Sequence, residues 1–179
     1  GLLLQVIISG ALGQTASVLI GSIGFAATVF FFPRDPFTSS ANLKKGALFL
    51  IGYTLAVRAF LASDLNLLEQ EAYYWKYAEN LSLGYLDHPP LVGWSIALGT
   101  ALFKDTELGV RCMALVWWGL GVIYVWKLAD YLYDRSAAWG AVALFSVLPY
   151  FLGAGFIMSP DAPLLFFWAA ALYYCVKLL

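Results

Sequence analysis

The sequence predicts an all-α, polytopic membrane protein with about five spans and two juxtamembrane surface helices in one long extracytoplasmic loop. Three observations lead there. Two runs, Gly1 to Pro33 and Ser136 to Pro160, carry no charged side chain, and each exceeds the roughly 20 residues that cross a hydrocarbon core. Hydrophobic residues make up 62% of the chain and the mean hydropathy is +0.79, far above an ordinary soluble domain. The net charge is only −1, but the charges are sorted along the chain in a way that fixes an orientation.

The first apolar run, Gly1 to Pro33, lacks a basic leading region and is too long for the core of a signal peptide, so it reads as a mature span. Its Gly10, Gly13, Gly21 and Gly24 suit close helix contact. PRDPFTSSANLKK follows as a connector rich in turn formers. This divides the chain into residues 1–45, an extra N-terminal transmembrane helix with a cytoplasmic connector, and residues 46–179, the main membrane domain. The second span runs from Gly46 to Ser63 and is interrupted by Arg58. The third covers Cys112 to Trp126, the fourth Ser136 to Pro160, and the fifth Ala162 to Val176.

Arg34, Lys44, Lys45, Lys127, Arg135 and Lys177 all fall on one side of this arrangement. By the positive-inside rule that side is cytoplasmic. Asp64, Glu69, Glu71, Glu79, Asp87, Asp105, Glu107 and Asp161 then face the other side, against Lys76, Lys104 and Arg111. An acidic outer surface with no basic stripe excludes nucleic-acid binding. Cys112 and Cys175 sit in different spans and suggest neither a disulfide framework nor a metal pair. No span carries the paired broken-helix pattern of a transporter.

The interval from Asp64 to Val110 is neither a clean span nor a short turn. Within it, Tyr73, Tyr77, Leu81 and Tyr85 recur every four residues, which predicts one face of a helix, with Glu71, Trp75 and Glu79 on another. Tyr and Trp at this density belong at the headgroup level, where an aromatic body is buried and its polar tip is wet. Pro89 and Pro90 then open a second helix from Leu91 to Phe103, too short to cross comfortably.

The polar residues here carry the chemistry. Asp87 and His88 precede the prolines, Asp161 lies in SPDAP between the last two spans, and Arg58 and Arg111 are cations placed where a bilayer makes charge expensive. A carboxylate can take the proton of an attacking hydroxyl while an arginine stabilises a departing phosphate. Glu71, Asp87, His88 and Asp161 offer oxygen and nitrogen donors but no recognised metal spacing, so no metal is assigned and a divalent ion is unsupported.

The ordered series EAYYW, GYLDHPPLVGW, LGVR and SPDAPLLFFWAAALYY resembles the GT-C type membrane glycosyltransferases. The resemblance is to the polyprenyl-phosphate-sugar-dependent group of the protein O-mannosyltransferases and the aminoarabinose transferases of lipid A, in their N-terminal part. It covers about Arg58 to Leu179. It implies an inverting transfer from a polyprenyl-phosphate sugar, the donor substrate, to an extracytoplasmic acceptor, with no certain cofactor.

The family's acidic pair falls on Gln70 and Glu71, which makes Glu71 the catalytic candidate and Asp87 the next. Asp161 matches the second outer acidic residue, Arg58 and Arg111 would face the lipid phosphate, Tyr74 would contact substrate, and His88 either hydrogen-bonds a phosphate or sugar or serves as a local cap before the prolines. The implied partners are membrane lipid, the lipid-linked sugar and other membrane-protein subunits, and the implied location is the bacterial inner (plasma) membrane. Gln70 and the short chain support an alternative: a truncated, non-catalytic GT-C-derived subunit acting as a scaffold in a larger membrane complex.

Overall fold

A computed structural model describes residues 40–179. The proposed first span and its glycines lie outside the described residues, as does most of the connector. Every element described is helical: α1 (Ser40–Asp64), α2 (Glu69–Glu79), α3 (Leu91–Phe103), α4 (Glu107–Leu132), α5 (Arg135–Val147), α6 (Pro149–Ala154) and α7 (Asp161–Leu178). Three stretches are long and apolar enough to cross a membrane, Ala41–Asp64, Glu107–Leu132 and Asp161–Leu178. The chain is an all-α integral membrane protein.

α1 starts six residues before Gly46, where the sequence places the span. Nothing from Ser40 to Lys45 is Pro or Gly, and Ala, Leu and Lys favour a helix, so the end of the connector winds into α1. α4 likewise extends the third span at both ends. Thr106 caps it, its Oγ1 accepting from the Gly109 N–H at 3.0 Å.

The fourth span departs furthest from expectation, because its charge-free run is not one helix. α5 stops at Val147, Leu148 is extended, and Pro149 starts the six-residue α6. Proline has no N–H to give and disfavours helix in the residue before it. Apolar length alone did not register that break.

α4 is the central helix and packs against α1, α3, α5 and α7, while α2 lies on α3. The α3–α4 contact is close enough to require glycine. A Cβ at Gly99 would strike the Gly109 carbonyl and come 2.7 Å from Cys112 Sγ. One apolar cluster joins five segments: Tyr74 of α2, Val92 and Ile96 of α3, Val110 and Ala114 of α4, Met158 of the α6–α7 connection and Ala162 of α7. That cluster is the floor beneath the polar residues.

Both ends of the bundle carry mixed charge, with Arg135 paired to Asp130 at one end and Lys76 to Glu79 at the other. The C-terminus of α1, α2, α3 and the segments before α4 and α7 form one end. At the other, Lys44 lies 6.0 Å from the Trp139 ring centre and Arg135 lies 5.4 Å from that of Trp126.

Candidate functional site

α2 begins at Glu69 and ends at Glu79, so Leu81 and Tyr85 are not part of the helical stripe that their spacing predicts. Asn80, Ser82 and Gly84 do not sustain a helix. The chain folds back instead. The Tyr85 ring stacks on Tyr77 with centroids 3.9 Å apart and planes within 4°, and its hydroxyl donates to the Tyr77 carbonyl at 2.8 Å. Trp94 Nε1 of α3 donates to the Ser82 carbonyl at 3.0 Å and ties the same loop down.

The face of α2 turned to the bundle carries Glu71 and Tyr74, both buried. Glu71 is fully enclosed, and each of its oxygens accepts two hydrogen bonds. Oε1 accepts from Arg111 Nε at 2.8 Å and from the Met158 N–H at 3.0 Å. Oε2 accepts from Arg111 Nη2 at 2.6 Å and from the Leu68 N–H at 3.0 Å. The two-pronged pair is the geometry for which a guanidinium fork is shaped. Arg111 also donates to the Leu65 carbonyl at 2.6 Å and the Asn66 carbonyl at 2.9 Å, just past the negative C-terminus of α1. One ion pair therefore ties α1, α2, α4 and the 158 connection together.

Arg58 is equally buried but sits elsewhere. Its Nη2 donates to the carbonyls of Ser146 at 3.1 Å and Phe151 at 3.2 Å, on either side of the α5–α6 break. Its guanidinium carbon lies 4.0 Å from the Trp118 ring centre. Nε and Nη1 have no hydrogen-bond partner among the described residues.

Above Glu71, at the surface, the DHPP loop brings Asp87 and His88 over α2. Both Tyr77 and Tyr73 reach the Asp87 carboxylate, Tyr77 through a very short hydrogen bond and Tyr73 at 3.2 Å from Oδ1. His88 Nε2 is 3.6 Å from Asp87 Oδ2 and 3.2 Å from the Tyr74 hydroxyl. The Tyr77 hydrogen bond holds the Asp87 carboxyl below its ordinary range, with Tyr73 and His88 acting in the same direction. Tyr74 is pushed upward by burial first, then by the negative charges of Asp87 and Asp161. Asp161 is exposed in the first turn of α7. An apolar groove lined by Pro89, Leu91, Val92, Pro163, Leu164 and Phe167 runs between the two proline-flanked helix starts.

The structure thus brings Asp87, His88 and Tyr74 together beside a groove that reaches the start of α7, where Asp161 lies, sets Glu71 and Arg111 beneath them as a closed pair, and leaves Arg58 apart. Among the described residues no three His, Cys, Asp or Glu side chains are grouped to hold a metal ion. Sequence spacing missed the Tyr73–Tyr77 contact with Asp87. Those residues are 10 and 14 positions away from it, across a turn that no helical period describes.

Asp87 is also where a family match begins. The family model of the dolichyl-phosphate-mannose-protein mannosyltransferases matches residues 87–179. The chain belongs to this family. Lipid A galacturonosyltransferase RgtD of Rhizobium johnstonii is 28% identical to this family member over 131 residues, covering 72% of this chain and 28% of that relative. The chain spans little more than a quarter of that curated relative's length. No solved structure matches. The GT-C resemblance drawn from the motifs agrees with both matches.

Proposed function

We propose that residues 46–179 form a partial GT-C membrane domain contributing the acidic, non-cytosolic side of a glycosyltransferase site in the bacterial inner membrane, with a polyprenyl-phosphate sugar as donor. The observation that carries this is the cluster of Asp87, His88 and Tyr74 next to an apolar groove whose lining runs from Pro89 to Pro160 and Pro163, the residues flanking Asp161. A lipid-linked sugar needs both features side by side: a greasy channel for the first isoprene units and polar groups where the phosphate and sugar emerge.

In this proposal the acceptor hydroxyl attacks the anomeric carbon from the face opposite the phosphate. The carbon–oxygen bond to phosphate breaks, its electron pair leaves with the phosphate, and the hydroxyl proton passes to Asp87. Asp87 is preferred over Glu71 as proton acceptor because it is exposed, whereas both Glu71 oxygens are already engaged in a closed pocket. Glu71 and Arg111 hold α2 under the site. His88 and Tyr74 contact the donor phosphate or sugar, and Asp161 positions the acceptor. Arg58, enclosed between Trp118 and two carbonyls, acts from outside this contact set.

Gln70 favours a second reading. It is exposed in the first turn of α2, at the position where the resemblance expects a carboxylate. On that reading the protein is a non-catalytic membrane subunit.

The deciding experiment reconstitutes the full-length protein in vesicles with a polyprenyl-phosphate sugar and follows loss of the donor. Turnover that falls at least about 100-fold in Asp87→Asn, the range general-base loss produces, supports the transferase. No turnover by a folded protein that co-purifies with other membrane subunits supports the second reading. Full turnover by Asp87→Asn overturns the role given to Asp87.

A further inference from the structure

We propose that Tyr77 is a positioning residue for Asp87, aimed by a clamp made of Tyr85 and Gly93. This rests on the reading that Asp87 belongs to the transfer site, but the geometry behind it is separate.

Asp87 lies on the loop between α2 and α3, and its exposed carboxylate is reached by side chains of α2. Tyr77 holds it through the very short hydrogen bond to Oδ1. The Tyr77 ring is held on three sides. Tyr85 stacks on one face, and Tyr73 meets it edge-on with centroids 5.0 Å apart. Gly93 of α3 lies beneath, where an added Cβ would stand 2.9 Å from both Tyr77 Cβ and Tyr85 Oη. Only glycine lets both rings seat there. Tyr85 is fixed in turn, because its hydroxyl donates to the Tyr77 carbonyl and accepts from the Ser82 N–H at 3.2 Å.

Proton counting makes Tyr77 the controlling partner. The Tyr73 and Tyr77 hydroxyl oxygens are 2.8 Å apart, and each carries one proton. An ionised carboxylate only accepts. Tyr77 donates to Asp87, and the Tyr73 proton is shared between Asp87 and the Tyr77 oxygen. The Tyr77 proton is thus the one committed to Asp87, while the Tyr73 proton is divided.

The charged or titratable groups facing Asp87 are Tyr73 and Tyr77 from α2 and His88 on its own loop, with Asp161 beyond Tyr74. A donor on the ionised form favours that form. Removing the Tyr77 hydroxyl therefore raises the Asp87 carboxyl pKa and leaves the carboxylate held only by Tyr73 and His88.

The test uses Tyr77→Phe in the full-length protein, which keeps the ring, its stack and the Gly93 contact and deletes one oxygen. Carbon-13 NMR of protein labelled at aspartate carboxyls, with Asp87 assigned from Asp87→Asn, reads the titration without any substrate. The expected result is an upward shift of the Asp87 midpoint in Tyr77→Phe. Gly93→Ala, which displaces both rings, shifts it the same way. Sugar transfer by Tyr77→Phe falls about tenfold, as for loss of a hydrogen bond to a charged group, and the acid limb of its pH profile moves up by the NMR shift.

An unmoved midpoint in Tyr77→Phe overturns the inference. So does a fall in turnover that is uniform with pH, since that marks a merely structural tyrosine. If the midpoint moves while Asp87→Asn still turns over fully, the aiming of Asp87 stands as a property of the loop, and it is the transfer role of Asp87 that fails.

Discussion

Arg58 and Arg111 are both buried cations in apolar helices, yet they are held in opposite ways. Arg111 meets a carboxylate with two prongs and spends its remaining hydrogen-bonding capacity on carbonyls at the end of α1. Arg58 has no carboxylate: two carbonyls and an indole face receive it, and two of its nitrogens find no acceptor among the described residues. A buried charge costs several kcal/mol in lost hydration, and only close opposite charge with full hydrogen bonding offsets that. Arg111 is therefore a joint on which four segments depend, whereas Arg58 is a tolerated cation covering a helix break.

The largest expected effect follows from breaking the joint on one side only. Arg111→Ala strands Glu71 as a buried carboxylate and should cost about 3–5 kcal/mol of stability, read as a lowered unfolding midpoint in detergent. The double variant Glu71→Leu with Arg111→Met removes both charges and should recover most of that loss. If it does not, the pair is more than a structural joint.

Gly155→Ala comes next. A Cβ there would meet Arg58 Nε and lie 3.0 Å from both the Phe151 carbonyl and Trp118 Cδ1. Overpacking of this kind costs about 1–3 kcal/mol, measured in the same melt. Arg58→Met should change stability by no more than about 1 kcal/mol. Losing a desolvated cation–π contact of about 2 kcal/mol is offset by removing two buried nitrogens, Nε and Nη1, that have no partner among the described residues. A cost as large as that of Arg111→Ala would erase the contrast between the two arginines.

The smallest effect lies at the surface, at Asp87. Its carboxyl pKa is lowered in the folded chain, chiefly by Tyr77. The associated stabilisation is present above the ordinary carboxylate range and is lost as pH falls through the lowered value. Asp87→Asn should flatten that part of the acid unfolding curve, leaving the rest unchanged.

Much of the fold is legible because membrane helices announce themselves by length and apolarity, as α1, α4 and α7 do. α3 was legible for a related reason, since Pro89 and Pro90 mark its start. The α5–α6 break was harder to see, because Pro149 is apolar and a hydropathy run passes over it. For the site, residue type picked out Glu71, Asp87, His88, Asp161 and both arginines, but it carried no sign that Glu71 is enclosed and Asp87 exposed.

What the sequence determined by itself is where the chain can leave water and where its polar groups collect, because those depend on the composition of contiguous segments. Tertiary structure alone decided that Glu71 closes on Arg111, that Tyr77 reaches Asp87, and that Arg58 is left with carbonyls. Those outcomes turn on distances of about 3 Å between residues 10 to 93 positions apart, and no local period encodes such distances.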